Sequence, residues 1–501
     1  MKGFLQKIYV LFTKKKNNFL IYGNTNSEVM KMELNKIYPN LHISIDSINT
    51  NSKEKRPNSL FVAIKGKDFD GHDFINEAIT NGAICVVSEK DLDIDVPLIL
   101  VSDSRLELAI LSSYFYDFPS KKMNLVGVTG TDGKTTTSSI LSFLIHSSGY
   151  IGTNGIRYKD VKLDSSNTTP DSLTINALLD DMHKENIKNV FMEVSSHSVS
   201  LKRISYIDFD ALIFTNLSHE HLDYYKTMEN YFMAKAMAFK ALRNDALAII
   251  NIDDEYGLRL SKMLNCRIKT YSMKNKSDLQ LLNIRHGKMV KFDLLRDKKI
   301  YTDMETNLQG DYNLYNLLAV ISYLIEYGYN MRIIRNMIRN IPEIEGRMNL
   351  INEEGPKTII DFAHTPNALY NILQTAREIT KANLILVMGA AGERDSSKRP
   401  IMGEIATNMA DFVIFTEEDN HNENPNKILS ELTSKATKNN FVVVEKRKDA
   451  IKYAFKIASF KDTILITGKG NEKTMSIKNI VVDYNDITEA RKYLSGGNIL
   501  N

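Results

Sequence analysis

Short, near-continuous apolar runs recur along the chain, and most of them end in Gly, Thr, Asp, Glu or His. Val190-Phe191-Met192, Ala211-Leu212-Ile213-Phe214 and Ala246-Leu247-Ala248-Ile249-Ile250 are too short for helices and do not alternate with polar residues. Apolar side chains at every position mean burial on both faces, the condition of a strand in a parallel sheet covered by helices. Helix-like segments lie between the runs. The pattern predicts an α/β protein, and ligands of such sheets bind at the carboxyl ends of the strands.

The runs fall into three blocks. Residues 1–123 read as a small α/β domain, with Leu60-Phe61-Val62-Ala63-Ile64 and Ala83-Ile84-Cys85-Val86-Val87 as strands and Gly66, Gly71 and Gly82 as punctuation. Residues 124–345 open with NLVGVTG and read as a second α/β domain on a parallel sheet. Its charge-rich stretch, from about Lys276 to Thr306, reads as an antiparallel excursion. Residues 346–501 follow the turn-like Ile341-Pro342 and Glu345-Gly346-Arg347. They carry KTIIDFAHTP, NLILVMGAAG, DFVIFTEED, FVVVEK and DTILITGKG, which read as strands of a third α/β domain. A length of 501 residues agrees with three domains of roughly 150 residues each.

Composition changes this picture little. A net charge of +3 gives no signal for nucleic acid, and no such partner is expected. Two cysteines, Cys85 and Cys266, cannot build a disulfide framework or a Cys-rich metal site, so a reducing, cytoplasmic setting is the default. The N-terminus, MKGFLQKIYVLFTKKKNNF, is interrupted by Gln6 and Lys7 and has no small-residue cleavage site. It reads as an amphipathic helix, not as an export signal or an integral membrane segment. Lys14, Lys15 and Lys16 leave a membrane-surface contact open.

The strongest chemical signal is Gly127-Val128-Thr129-Gly130-Thr131-Asp132-Gly133-Lys134-Thr135-Thr136, between an apolar strand and an Ile/Leu-rich helix. Glycines let backbone N–H groups wrap an oxyanion, and the helix N-terminus adds its dipole. Lys134 would reach the β/γ-phosphates and the Thr135 hydroxyl would hold Mg²⁺. Val128 stands where the strict phosphate-loop pattern has its first glycine, so the flanking strand and helix carry the assignment. Glu193 ends the run Phe191-Met192, and a carboxylate buried there needs a partner such as a metal ion. Its bland reading is a satisfied core Glu. His219 and His221, two residues apart, do not have zinc-type helix spacing. A neutral imidazole near a metal at the phosphates fits them better. By pattern alone Lys235 is an ordinary helix lysine.

TGTDGKTTT, NTTP, MEVSSH, FTNLSHEHLDYY, LQGDYNLYN, EGRM, DFAHTP, GERDSSKRPIMG and TGKGNE occur in this order. Together they closely resemble the Mur ligase family over nearly the whole chain, in particular the branch that adds the third amino acid of the peptidoglycan precursor. The resemblance implies an N-terminal UDP-binding domain, a central ATPase domain and a C-terminal Rossmann-like amino-acid-binding domain, acting as a monomer. It implies that ATP and Mg²⁺ convert the free carboxylate of UDP-N-acetylmuramoyl-L-alanyl-D-glutamate to an acyl phosphate, which the incoming amine attacks. The residues that match the family's nucleotide site are Gly130, Thr131, Asp132, Gly133, Lys134, Thr135, Thr136, Asn313, Asn316, Arg347 and Asp361. Glu193 and His221 match metal ligands, Lys134 stands beside them in catalysis, and Lys235 matches a lysine that the family carbamylates. Ser52, Thr168, Thr169, Ser195 and Arg203 match contacts to the muramoyl peptide. His364 belongs to the nucleotide-facing strand end, with no role assigned.

Some positions depart from the family pattern. Asn51-Ser52-Lys53 replaces Asp-Ser-Arg, which removes a planar donor fork. Leu201 replaces a hydrogen-bonding Gln of some relatives, and His219 a frequent Arg. Arg394, Gly468 and Glu472 match amino-acid-site positions, as do Glu418, Asp419, Asn420 and His421. Relatives that add meso-diaminopimelate carry Asp-Asn-Pro-Arg on those last four, and their arginine grips the distal carboxylate. Here that arginine is absent. Glu417, Glu418 and Asp419 would attract an ammonium, so L-lysine or another basic diamino acid such as ornithine is favoured, with diaminopimelate as the alternative. The bland reading of the acids is a solvated loop. Two other functions share part of these features: a folylpolyglutamate synthase and a phosphate-loop regulator without ligase chemistry.

Overall fold

The apolar runs are strands, and the helices between them cover both faces. The computed structural model describes residues 30–494 except 67–68, 166, 353–354 and 479. The basic N-terminal segment, read above as an amphipathic helix, lies outside the described residues. No helix among the described residues is long and apolar enough to cross a membrane. The chain divides into two compact units. Of the described residues, the first holds those up to Met123 with Asp164–Ile187 and His197–Asp208, and the second holds Asn124–Leu163, Lys188–Ser196 and those from Phe209 onward.

In the first unit, β1 (Ser47–Asn49), β2 (Ser59–Val62), β3 (Ala83–Ser88) and β4 (Leu98–Leu100) form a parallel sheet in that order. Neighbouring side chains of a strand point to opposite faces, so each run feeds two cores. Leu60, Val62, Cys85 and Val87 pack with Leu108 and Leu111 of α2 (Ser104–Phe115). Phe61, Ala63 and Val86 pack with Ile75 and Ala78 of α1 (Ile75–Thr80). Asp103 starts α2 by accepting from the amides of Arg105 and Leu106.

The second unit is built on two sheets. The larger contains β5 (Asn124–Thr129), β6 (Ser148–Gly152), β7 (Gly155–Tyr158), β8 (Val161–Leu163), β9 (Asn189–Glu193), β10 (Ala211–Phe214), β11 (Leu247–Asn251), β12 (Arg267–Ser272), β13 (Leu279–Arg285), β14 (Val290–Arg296) and β15 (Lys299–Thr306). Its order is β8-β7-β6-β9-β5-β10-β11-β12-β13-β14-β15. The strands from β6 through β13 in this order are parallel, and hairpin partners close each edge. The expected antiparallel excursion is β13–β15. One face is covered by α3 (Lys134–Leu144) and α5 (Asp311–Glu326), through Ile140, Leu141, Leu314, Leu317 and Leu318 on Val126, Val128, Phe191 and Ile213. Helix α4 (Met228–Lys240) follows β10.

The smaller sheet contains β16 (Lys357–Asp361), β17 (Leu384–Met388), β18 (Phe412–Phe415), β19 (Phe441–Val443) and β20 (Thr463–Thr467), parallel in the order β16-β20-β17-β18-β19. These are the five runs read from the sequence. Ile359, Leu386, Val413 and Leu465 face α6 (Pro366–Ile379) and α7 (Lys398–Met409). Ile360, Val387, Ile414 and Ile466 face α8 (Arg447–Ile457) and α9 (Asp486–Leu494).

A buried ion pair ties α8 to α9. Arg447 donates through Nε and Nη2 to Asp486 Oδ1 and Oδ2 at 2.8 and 2.7 Å, and both side chains have no solvent exposure. The Tyr484 hydroxyl donates to the same carboxylate at 2.8 Å. Removing one partner strands the other charge, a loss of about 3–5 kcal/mol. Asp486→Ala is therefore expected to lower unfolding stability by about that amount in urea melts. The double variant Arg447→Met/Asp486→Leu should lose markedly less.

Candidate active site

The loop between β5 and α3 wraps the start of the helix. Gly130 (φ 153°) and Gly133 (φ 86°) take backbone angles that a side chain would oppose. A Cβ on Gly130 would lie 1.8 Å from Thr215 Oγ1, and one on Gly133 would lie 2.2 Å from Asn316 Oδ1. Lys134 folds back over the loop and donates to the Gly130 and Thr131 carbonyls at 3.0 and 2.7 Å. Burial pulls its pKa down, against the pull of Glu193 and Asp132. Its charge is aimed into a cradle of backbone dipoles, the arrangement that receives phosphate oxygens.

Parallel pairing of β9 with β5 brings Glu193 opposite Val128, one strand away from the loop. The Glu193 carboxylate is buried. It accepts from the Tyr150 hydroxyl at 2.5 Å, the Thr153 amide at 2.9 Å, the Thr153 hydroxyl at 3.2 Å and the Thr135 hydroxyl at 3.0 Å. Burial, then Glu193, pushes the Tyr150 phenol well above its ordinary pKa, so it stays a donor. Gly152 makes room: a Cβ there would sit 2.3 Å from Glu193 Oε1. No sequence pattern points to Tyr150 or Thr153, because GYIGTNG matches no catalytic spacing.

Lys235 of α4 is 1% exposed. Its ammonium donates to the Gly130 carbonyl at 2.8 Å and lies 4.9 Å from the centre of the Tyr231 ring. Among the described residues no carboxylate pairs with it. Burial, then Lys134, drives its pKa well below the ordinary lysine value. His221 has a left-handed backbone (φ 58°) and its ring meets the edge of Tyr231.

The residues expected to face the nucleotide converge from three elements. Asn313 and Asn316, one turn apart on α5, hydrogen-bond each other at 3.3 Å, with Asn316 against Gly133. Arg347 donates to the Thr135 hydroxyl at 3.1 Å and stacks on Phe362. Asp361, at the end of β16, accepts from the amides of Met348 and Ala363, each at 2.8 Å. Burial raises its pKa, and Arg347 opposes the rise. His364 donates through Nδ1 to the Phe362 carbonyl at 2.9 Å, and burial, then Lys398, pulls its pKa down to about 3. It is neutral, beside three cations. The buried ion pair Lys398–Glu220, at 3.0 Å, lies next to them and was not anticipated.

The peptide-contact candidates fall in both units. Arg203 donates to the Thr169 carbonyl at 2.8 Å inside the first unit, which also holds Thr168. Ser52, also there, donates to Glu77 at 2.5 Å. Ser195 belongs to the second.

The acidic loop after β18 is not one free patch. Asp419 accepts from Lys469 Nζ at 2.6 Å and from the Ser476 amide at 2.7 Å. Lys469 also pairs with Glu472 at 2.6 Å. Glu417 accepts from Asn420 Nδ2 at 3.3 Å. Glu418 is buried against Gly468, its Oε2 has no hydrogen-bond partner, and burial pushes its pKa to about 7 despite Arg447 and Lys469. The expectation of three acids waiting for a cation therefore needs correction: Asp419 is already compensated, and of the three acids Glu418 presents a buried oxygen without a hydrogen-bond partner, as does the neighbouring Asn420 Oδ1. Asn420 is buried, His421 is half-buried with a left-handed backbone, and Arg394 is exposed.

Family models match along the chain. The Mur ligase family catalytic domain covers residues 44–116, the Mur ligase middle domain 128–324, and the Mur ligase glutamate ligase domain 346–470. The UDP-N-acetylmuramoyl-L-alanyl-D-glutamate–2,6-diaminopimelate ligase of Clostridium botulinum is 38% identical over 477 residues, 91% of this chain and 98% of its own. The ligase of that name from Aquifex aeolicus is also 38% identical, over 90% of this chain and 94% of its own. A solved structure of a ligase with that name superposes with a TM-score of 0.65 at 26% identity, over 93% of this chain and 99% of the other. The MurF ligase of Thermotoga maritima with ADP shares the fold, with a TM-score of 0.63 at 20% identity over 90% of this chain and 97% of its own. With its phosphate loop, strand-end carboxylate and buried lysine in one cluster, and such relatives spanning nine-tenths of it, the chain belongs to the Mur ligase family and is an ATP-dependent, ADP-forming ligase.

Proposed function

We propose that the protein joins a diamino acid to the D-glutamate carboxylate of UDP-N-acetylmuramoyl-L-alanyl-D-glutamate, in peptidoglycan synthesis. The observation that carries this is the cluster of Lys134, Thr135, Glu193 and Lys235 at the ends of β5 and β9, together with the relatives' names. The two folds of charge needed, a cationic cradle for ATP and an anionic seat for metal, lie side by side there. Lys134 and Arg347 offset the negative charge that otherwise repels an attacking carboxylate. The D-glutamate oxygen takes the γ-phosphoryl group, ADP leaves, and the amine displaces phosphate from the acyl carbon. Asn313 and Asn316 would hold adenine, and Asp361 the ribose. Gly130, Thr131, Gly133 and Thr136 complete the cradle. Thr168, Thr169, Ser195, Arg203 and Ser52 would contact the muramoyl peptide and its uridine part.

Mg²⁺ fits the donors present. The Thr135 hydroxyl and Glu193 carboxylate are hard oxygens 3.0 Å apart, the type of donor this ion takes alongside phosphate. When bound, the ion supplies charge neutralisation at the phosphates. Lys235 fits a metal seat only as a carbamate. Its pKa is driven down by burial, which favours the free amine, the form that reacts with carbon dioxide, and no carboxylate among the described residues pairs with it. His221 would join it. We place the reaction in the cytoplasm, where ATP is available.

For the amino acid, the loop favours lysine or ornithine. Glu418 offers an unmatched acceptor suited to an ammonium, while Lys469, the buried cation there, is already spent on Asp419 and Glu472. Nothing comparable to a guanidinium stands at Asn420 or His421 for a second carboxylate. Arg394 can hold the α-carboxylate. The relatives' names do not confirm lysine; they support 2,6-diaminopimelate as the second reading.

Three measurements check these statements. Purified protein with ATP, Mg²⁺ and the UDP-dipeptide should form product with L-lysine or L-ornithine. Product with meso-diaminopimelate alone overturns the amino-acid reading, and phosphate release indifferent to both substrates overturns the ligase. Lys235→Ala should abolish turnover, with partial rescue by a short carboxylic acid; full activity without rescue removes Lys235 from the metal seat. Gly152→Ala, which pushes a methyl into Glu193, should lower kcat about 100-fold in a folded protein.

A further inference from the structure

An acid in a phosphate-binding loop is a puzzle, because its charge repels the ligand. Asp132 is such an acid, and its side chain is turned away from the helix it precedes. Its carboxylate accepts from the Thr365 hydroxyl at 3.2 Å and from Asn367 Nδ2 at 3.1 Å, with Ser218 Oγ at 3.4 Å. Thr365 is the N-cap of α6, a helix of 14 residues, and its hydroxyl also accepts from the Ala368 amide at 3.1 Å. One hydroxyl therefore relays between the acid and the first turn of α6, while the helix N-terminus favours the negative charge. The backbone of Asp132 is fixed independently: Asn216 Oδ1 holds its amide at 3.0 Å and Thr215 Oγ1 its carbonyl at 2.6 Å. The loop can therefore not shift to relieve a clash; only the carboxylate can turn.

We propose that Asp132 is a positioning residue that links occupation of the phosphate loop to docking of the C-terminal sheet and its helices. The proposal rests on the nucleotide reading given above. With α6 docked, the carboxylate has two donors and a helix N-terminus to neutralise it, and phosphates meet less repulsion. With α6 withdrawn, the same carboxylate is left beside the phosphates with Ser218 as its remaining side-chain donor. Nucleotide therefore binds the docked arrangement better than the open one, and by reciprocity docking tightens on nucleotide. Arg347–Thr135 and Lys398–Glu220 bridge the same two regions but carry cations from the C-terminal side. Asp132 is the reverse case, an anion reaching out from the loop itself.

Hydrogen exchange on the full-length protein tests this, with Mg²⁺-ADP as the probe. In the native protein, ADP should slow exchange at the first turns of α6 about tenfold. Asp132→Asn keeps an acceptor for Thr365 but carries no charge to repel the phosphates, so the slowing should be lost there although α6 stays docked. In Asp132→Ala, and in Asn367→Ala from the other side, that slowing should be lost while ADP still binds. The same pattern should appear as a rise of about tenfold in KM for the amino acid, with KM for ATP changed less than about threefold. Equal slowing in all four proteins overturns the coupling and leaves the ligase reading intact. A native protein that does not bind ADP overturns both.

Discussion

A carboxylate buried at the end of a central strand must be matched, and much of the site is organised by matching Glu193. Four hydrogen bonds converge on it, from the strand hairpin that follows β6 and from the first turn of α3. Left unpaired, such a group would neutralise itself or unfold its surroundings. Its donors include two hydroxyls, a phenol and an amide, and the carboxylate lies within electrostatic reach of the Lys134 ammonium of the phosphate cradle. That juxtaposition of opposite charge over a few ångströms is what phosphoryl transfer requires of a protein.

Lys235 shows the opposite imbalance. A buried ammonium that pairs with no carboxylate among the described residues is disfavoured as a cation, and burial, then Lys134, drives its pKa down. A proton lost or a carbamate gained both remove the problem. The neighbouring positive charge of Lys134 pushes the same way, so the two lysines of the site are set for different roles by position alone.

The C-terminal sheet carries its charges differently. Arg447–Asp486 and Lys469 with Asp419 and Glu472 are closed pairs that hold loop and helix in place. Glu418 stands among them with one oxygen unmatched. A loop that looks uniformly acidic is thus mostly internal structure, and counting charges overstated its attraction for a cation.

The sequence determined the α/β class, the central strands of the larger sheet, the five parallel strands of the smaller one, the antiparallel edge and the phosphate loop. Burial on both faces demands continuous apolar runs, and a glycine-lined turn into a helix has few other uses. It also supplied the missing arginine at Asn420 and His421, an absence visible without any fold. Tertiary structure decided what touches what. Tyr150, Thr153 and Gly152 reach Glu193 because β6 pairs beside β9, a choice of strand order that no local pattern encodes. Lys235 looks like any helix lysine until α4 buries it under the loop. Asp132 looks like a phosphate contact until α6, more than 200 residues later, offers its N-terminus. Each of these depends on contacts distant in sequence, where the spacing of residues along the chain says nothing of their spacing in space.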